Sequence, residues 1–216
     1  PVRPCMNTQQ PDSLGRIRDV DELIDYLCPA GRWLFPNNKW WAENKYNGWR
    51  VLVNRDGVPI TRHGKSLAPS IQEAFETTVL SLCGMINWEF CELVDCEFMA
   101  ITPKACPKGT IVAFDCIGGP SSSYGLDERR EAMWLTMPEV FYQSTAKQVF
   151  LPQTHLLDHD KLKAEMSRMI NVNLEADQTL HEGFVFKKLS AQYGAKKSWF
   201  KLRLAETYIK EKAYEK

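Results

Sequence analysis

Three kinds of side chain recur in this 216-residue chain at spacings that could carry chemistry. The first is a lysine, Lys45, in the run Ala42-Glu43-Asn44-Lys45-Tyr46-Asn47-Gly48-Trp49-Arg50. Strand-like residues there lead into Asn-Gly, a pair that tolerates positive φ and marks a tight turn. A lysine fixed beside a turn suits a nucleophilic amine, which must be positioned and kept partly out of water. On that run alone, a solvated hairpin lysine is the simpler account. The second kind is carboxylates in apolar strands. Val94-Asp95-Cys96-Glu97-Phe98 places Asp95 and Glu97 on one strand face, because side chains alternate with period two. Such a pair is costly unless it meets a cation or a metal. Val112-Ala113-Phe114-Asp115-Cys116 is a further apolar strand ending near an acid. The third kind is basic residues at strand ends. Arg62 closes a strand before Gly64; Glu182-Gly183-Phe184-Val185-Phe186-Lys187 opens on an acid and ends on a lysine; Trp199-Phe200-Lys201-Leu202-Arg203 puts Lys201 and Arg203 on one face.

The elements that must position these residues follow from periodicity and turn chemistry. Helical spacing covers Val20–Cys28, with Asp19 or Asp21 as cap. Strands are predicted at 39–46 and 49–54, with Asp56-Gly57 turning into a returning strand at 58–62. Ser70-Ile71-Gln72-Glu73 fits a capping box opening a helix to about Leu82. Strands at 91–101 and 110–117 flank a loop at 102–109, and 118–125 reads as a flexible Gly/Ser-rich loop. Helix is expected at 126–137, strand at 147–151, and an Asp-capped helix at 158–169. Strands at 183–189 and 199–204 precede a polar helix at 205–215. Hairpin-joined strands with helices laid on them give an α+β class, mainly antiparallel sheet flanked by helices.

Composition narrows the setting. Lys+Arg and Asp+Glu balance at 27 each, so no global charge attracts a polyanion, and any nucleic-acid surface must come from local segregation. The clusters Lys187-Lys188, Lys196-Lys197 and Lys201 with Arg203 read, singly, as solvated basic faces. Seven cysteines without a Cys-x-x-Cys pair argue against a zinc ribbon or a closed disulfide framework. Cys83, Cys91, Cys96 and Cys116 lie in apolar runs as small hydrophobes, which predicts a reducing, intracellular setting. Pro1 to Gly15 is too polar for a signal peptide, and no apolar run spans a bilayer. A start at Pro1 predicts processing or trimming.

Taken in order, these runs resemble the covalent nucleotidyltransferase superfamily and, within it, the adenylation domain of ATP-dependent DNA ligases. The first motif, Lys-x-Asp-Gly-x-Arg, reads Lys45-Tyr46-Asn47-Gly48-Trp49-Arg50, and Thr61-Arg62-His63-Gly64 matches Ser/Thr-Arg-x-Gly. The Asp-Gly-Glu strand is Asp95-Cys96-Glu97, and the aromatic-Asp strand is Phe114-Asp115. Glu-Gly-x-Val-x-Lys is intact from Glu182 to Lys187, and the closing Trp-x-Lys-x-Lys is Trp199 to Arg203. Leu126-Asp127-Glu128-Arg129-Arg130 looks like the Leu-x-Glu-Arg-Arg helix start common in DNA ligases. The likeness runs from Trp33 to Arg203; any one motif is weak, but their order is not.

The resemblance implies an ATP-grasp-like nucleotidyltransferase fold, as a single domain over 1–216, and a three-step reaction. Lys45 attacks the α-phosphorus of ATP to give lysyl-AMP, AMP passes to a 5′-phosphate, and the 3′-hydroxyl of a nick displaces it. Such transfer needs positioning and charge neutralisation more than proton chemistry. By the same resemblance Lys187 and Lys201 meet the α-phosphate and favour the neutral Lys45 amine. Glu97 and Glu182 ligate Mg²⁺, Phe114 stacks on adenine, and Glu43 accepts from its amino group. Arg50 and Arg62 hold ribose or the end phosphate. The implied partners are ATP and nicked duplex DNA, in repair or replication, with a monomeric protein and no membrane. The family's OB-fold after the last motif is not expected within this chain, since about a dozen residues follow Arg203. It is expected to be trimmed, lost or supplied in trans by a clamp partner. Alternatives are an RNA-end ligase and a catalytically impaired ligase-like scaffold. A capping guanylyltransferase fits Glu43 and the Leu126–Arg130 run poorly.

Several residues also have plainer readings. Alone, Phe114 is a core aromatic, Asp95 a structural ion-pair partner, and Arg203 part of a basic face. His155 and His159 read as surface histidines without a third ligand. His181 reads as a solvent contact, and Trp40 and Trp41 as core or rim. Asn47 stands where the motif has Asp, keeping the turn but losing a charge. Cys96 replaces a Gly and adds bulk opposite the acids, while Arg203 keeps the charge of a Lys.

Overall fold

In a computed structural model, residues 9–36, 38–61, 64–99, 107–134 and 149–205 are described. The elements run β1 (Asp12–Ile17), α1 (Val20–Leu27), β2 (Trp40–Tyr46), β3 (Trp49–Asn54), β4 (Pro59–Thr61), α2 (Pro69–Met85), β5 (Leu93–Phe98), β6 (Ile111–Ile117), α3 (Leu126–Trp134), β7 (Val149–Phe150), β8 (Thr154–Leu156), α4 (His159–Ala176), β9 (His181–Lys188) and β10 (Trp199–Leu204). They form two five-stranded sheets, ordered β1-β10-β9-β2-β8 and β4-β3-β5-β6-β7. Among the described residues, only the β1–β10 and β6–β7 pairs are parallel. The α+β, mainly antiparallel class expected from the sequence is what the fold has.

The chain divides into two compact units. The Lys45 unit gathers Gln10–Asn47, Gln153–Leu189 and residues 196–205. Its sheet buries Ala42, Phe184, Phe186 and Leu202 against Leu23 and Leu27 of α1 and Leu162, Met166 and Met169 of α4. The Arg50 unit gathers Gly48–Pro152 with Gln9 and Ser190–Ala195. There Val51, Val53, Val94, Cys96 and Phe98 pack on Phe75, Val79 and Leu82 of α2. In both sheets one side-chain parity is apolar and the other carries the polar candidates, as alternation requires.

Asp19 caps α1 and Asp158 caps α4, each accepting a backbone N–H of the first turn. Other expectations need correction. The Ser70–Glu73 capping box does not form: α2 starts earlier, with Pro69 at its first position and Ala68 as an N-cap without a side-chain bond. Proline at the first position has no N–H to leave unsatisfied and its fixed φ suits a helix start, which favours Pro69 over Ser70 as the opening residue. The Gly/Ser-rich segment is a 3-10 turn at Gly119–Ser123 with buried Ser121, whose hydroxyl donates to Gly118 O at 2.7 Å. α4 runs to Ala176, a full seven residues past the expected end, until Asp177 caps it in the left-handed region. β1 and β8 are additional strands, and both are edge strands of the Lys45 sheet. Parts of the expected 102–109 loop and 126–137 helix, and the 205–215 helix beyond residue 205, lie outside the described residues.

Candidate active site

In the Lys45 unit, strand register fixes which side chains share a face. Opposite Lys45 is Gly183, opposite Glu43 is Val185 and opposite Trp41 is Lys187. On the far side of β9, Trp199 pairs with Lys187, Lys201 with Val185, and Arg203 with Gly183. Glu43, Lys45, Lys187, Lys201 and Arg203 therefore stand on the sheet face opposite the Phe184–Phe186 core. Simple alternation would send Glu182 to that core with Phe184. It does not, because the β2–β9 register shifts between Lys45 and Tyr46: Lys45 pairs with Gly183 and Tyr46 with His181, so Glu182 is the extra residue of a bulge. The bulge turns the Glu182 carboxylate onto the Lys45 ammonium, with which it forms an ion pair, and Arg203 Nε lies 3.5 Å from the same Oε2. Gly183 makes this possible. Its φ is +128°, and a Cβ there would lie 2.2 Å from the Leu202 carbonyl oxygen.

Glu43 and Lys187 form a second ion pair at 2.7 Å, both side chains almost fully buried at 3% and 2% exposure. Lys187 Nζ also sits 4.1 Å from the centroid of the Trp199 ring. The Lys45–Glu182 pair is more open, at 19% and 22%. Glu43, expected at the adenine, thus meets a lysine in this structure, and Lys187, expected at a phosphate, meets that carboxylate. Asn47 donates from Nδ2 to Thr179 O at 3.0 Å, and its N–H to Leu180 O at 2.9 Å. A pocket of about 320 Å³ is lined by Arg16, Asn47, Asn173, Thr179, Glu182 and Arg203, among others.

Behind the sheet lies a polar layer that the sequence did not announce. His155, expected at the surface, has a side chain 9% exposed and bonds Asn44 Oδ1 at 3.0 Å. His159 is exposed and packs on the Trp33 ring. His181, expected in solvent, is 3% exposed beside the Tyr46 ring. Burial, aided by Arg168, pushes its pKa down to about 3. The reason is again the bulge, which leaves His181 on the core face. Asn173 of α4 grips this start of β9, accepting from Leu180 and His181 N–H at 2.9 Å and donating to His181 O at 2.8 Å. Trp40 and Trp41 are core, each 8% exposed.

The Arg50 unit holds the remaining candidates. Arg50 donates to Asp95 from Nε at 2.9 Å and from Nη2 at 2.6 Å, and its guanidinium lies 5.2 Å from the Phe114 centroid. Burial opposes the Arg50 cation, but Asp95 outweighs it and the pKa ends above the ordinary value. Phe114 is itself the extra residue of a bulge, since Asp95 pairs with Asp115 and Cys96 with Ala113. Tyr193, missed at the sequence level, donates to Asp95 Oδ2 at 2.6 Å; burial first, then Asp95, raises its phenol pKa. Glu97 Oε1 accepts the Gly48 N–H at 2.9 Å. Gly48 is tightly held, as a Cβ would lie 2.4 Å from Phe98 O. Asp115 is buried in a bidentate pair with Arg129 at 2.7 and 2.9 Å, and Arg130 donates to Phe114 O at 3.0 Å. The Arg129-Arg130 pair, read only as a helix start, thus braces the Phe114 strand. Arg62 lies outside the described residues.

Among the described residues, no three or more His, Cys, Asp or Glu cluster to hold a metal, and no helix is long and apolar enough to cross a membrane. The described cysteines are free thiols.

No protein-family model matches the chain. No curated protein matches it. Solved structures do. A Lig E DNA ligase is 14% identical, with TM-score 0.50, covering 92% of this chain and 68% of its own. The ligase domain of M. tuberculosis LigD is 14% identical, with TM-score 0.51, covering 89% and 58%. Mycobacterial DNA ligase D complexed with ATP and MES is 16% identical, with TM-score 0.50, covering 77% and 55%. The chain thus spans between 55% and 68% of these proteins. At such identities the likeness is one of fold.

Proposed function

We propose that this chain, whose fold is that of a ligase-type nucleotidyltransferase domain, is the adenylation domain of an ATP-dependent DNA ligase. The observation that supports it is the face carrying Lys45, Glu43, Lys187, Lys201 and Arg203 together, with Glu182 turned onto Lys45 by a bulge. Lys45 Nζ attacks the α-phosphorus of ATP; an N–P bond forms and the P–O bond to pyrophosphate breaks. The ammonium must first lose a proton to solvent, a loss that the neighbouring cations Lys187 and Lys201 favour. Nucleotide entry frees Lys187 from Glu43, so that the lysine meets the α-phosphate with Lys201 while Glu43 accepts from the adenine amino group. Phe114 stacks on the base, and Arg50 and Arg62 take the ribose or the end phosphate. AMP then moves to the 5′-phosphate of nicked DNA, and the 3′-hydroxyl displaces it.

Mg²⁺ suits the donors in kind: Glu182 and Glu97 are hard oxygen ligands, and this ion takes one or two carboxylates with water and phosphate oxygens. When bound it would neutralise charge on the phosphates. A second reading, a catalytically impaired scaffold, draws on Asn47, whose amide is spent as a donor to Thr179 O, a bond an Asp carboxylate cannot make.

Incubation with α-labelled ATP and Mg²⁺ tests the proposal. Label is expected to stay on the protein and to vanish in Lys45→Ala. A wild-type chain that takes no label with Mg²⁺ or Mn²⁺ overturns the catalytic reading. Nicked DNA against nicked RNA then decides the polymer, an RNA-end ligase being the competing outcome.

A further inference from the structure

Lys45 sits where the strand that carries it loses regular support. On one side, β8 pairs with β2 only from Trp41 to Glu43, with one further backbone bond from Asn44 N to Gln153 O at 3.2 Å. On the other, the β9 register breaks between Lys45 and Tyr46. Asn44, the residue between Glu43 and Lys45, takes over. Its side chain points to the opposite face and is buried, 4% exposed. Nδ2 donates to Glu165 Oε1 of α4 at 2.6 Å, and Oδ1 bonds His155 Nε2 of β8 at 3.0 Å. A carboxylate only accepts, so the Asn44 amide cannot flip, and His155 must present Nε2 as the donor. Glu165 is held in turn by Arg168, whose Nε lies 3.0 and 2.9 Å from its two oxygens. An apolar side chain would fill this place beside Phe184 at lower desolvation cost. A fully bonded polar cluster instead specifies one arrangement of the strand.

We propose that Asn44 is a positioning residue for Lys45. Clamped by Glu165, Arg168 and His155, it fixes the β2 backbone from behind so that the Lys45 amine is aimed at the α-phosphorus. The inference rests on the adenylation reading. The test is the single-turnover rate of lysyl-AMP formation at saturating ATP, with the ATP dependence measured separately and folding followed by circular dichroism. Asn44→Ala is expected to slow label formation about 10- to 100-fold, as an ångström of misplacement does, with the half-saturating ATP concentration moved less than about threefold. Asn44→Asp sets two acceptors face to face and should be as slow. Asn44→Asp/Glu165→Gln rebuilds the bond with donor and acceptor exchanged and should recover most of the rate. That recovery is the readout a general loss of stability does not give, and it decides the matter if Asn44→Ala does not fold. A wild-type rate in Asn44→Ala, a loss confined to ATP affinity, or a double variant as slow as Asn44→Asp overturns the inference. A wild-type chain that takes no label overturns the adenylation reading and this inference with it.

Discussion

At the scale of single residues, the polar candidates are held in pairs rather than left standing in water. Lys45 has Glu182, Lys187 has Glu43, and Arg50 has Asp95. The first of these pairs is the most open, which suits the proposed role of Lys45 as the nucleophile. His181 makes the cost of the surrounding burial measurable. Its folded pKa of about 3 lies below the ordinary 6.5, so below pH 6.5 the unfolded chain takes up a proton that the folded chain refuses. Stability from this group is complete above pH 6.5 and drains away as pH falls toward 3, at up to about 1.4 kcal/mol per pH unit. Urea midpoints at pH 7, 5.5 and 4.5 should fall steeply in the wild type and less steeply in His181→Gln. Equal slopes refute the assignment. Residue placement was legible in the sequence where it came as motif: Lys45, Glu43, Glu182 and Lys187 all lie on one sheet. It was illegible for Asn44, His155, Glu165 and Tyr193, whose partners are far away in sequence and whose types are ordinary.

At the scale of elements, the two bulges govern where the chemistry points. Period-two alternation predicts strand faces correctly for Glu43, Lys45, Asp95 and Glu97, because those strands are regular. It fails at Glu182 and Phe114, since an extra residue leaves no mark on local hydrophobicity. A glycine next to the acid was the available hint. Gly183→Ala should therefore be severe: the strained φ and the 2.2 Å approach to Leu202 O predict a loss of about 2 kcal/mol or more in urea unfolding, together with loss of labelling. If the variant melts like the wild type, the bulge is not needed in this form. The helix limits were legible where Asp19 and Asp158 cap, and wrong at α2, where Pro69 rather than Ser70 sets the start.

At the scale of the whole molecule, the two units differ in how the chain builds them. Among the described residues, the buried core of the Arg50 unit is drawn from the single stretch 51–151. The core of the Lys45 unit spans Ile17 to Leu202 and closes only when distant segments meet. A fragment of residues 48–152 is expected to fold alone, with dispersed amide resonances and a cooperative melt, whereas residues 10–47 alone should remain unfolded. A disordered 48–152 fragment would refute this division of the core. The bulge at Glu182 carries a last consequence. Deleting that one residue would restore a regular ladder, leaving Gly183 to Lys188 in register and the core side chains in place. The acid is thus separable from the ladder, since the pairing on either side of it does not depend on its presence. A chain lacking it would keep this backbone and lose the ion-pair partner of Lys45.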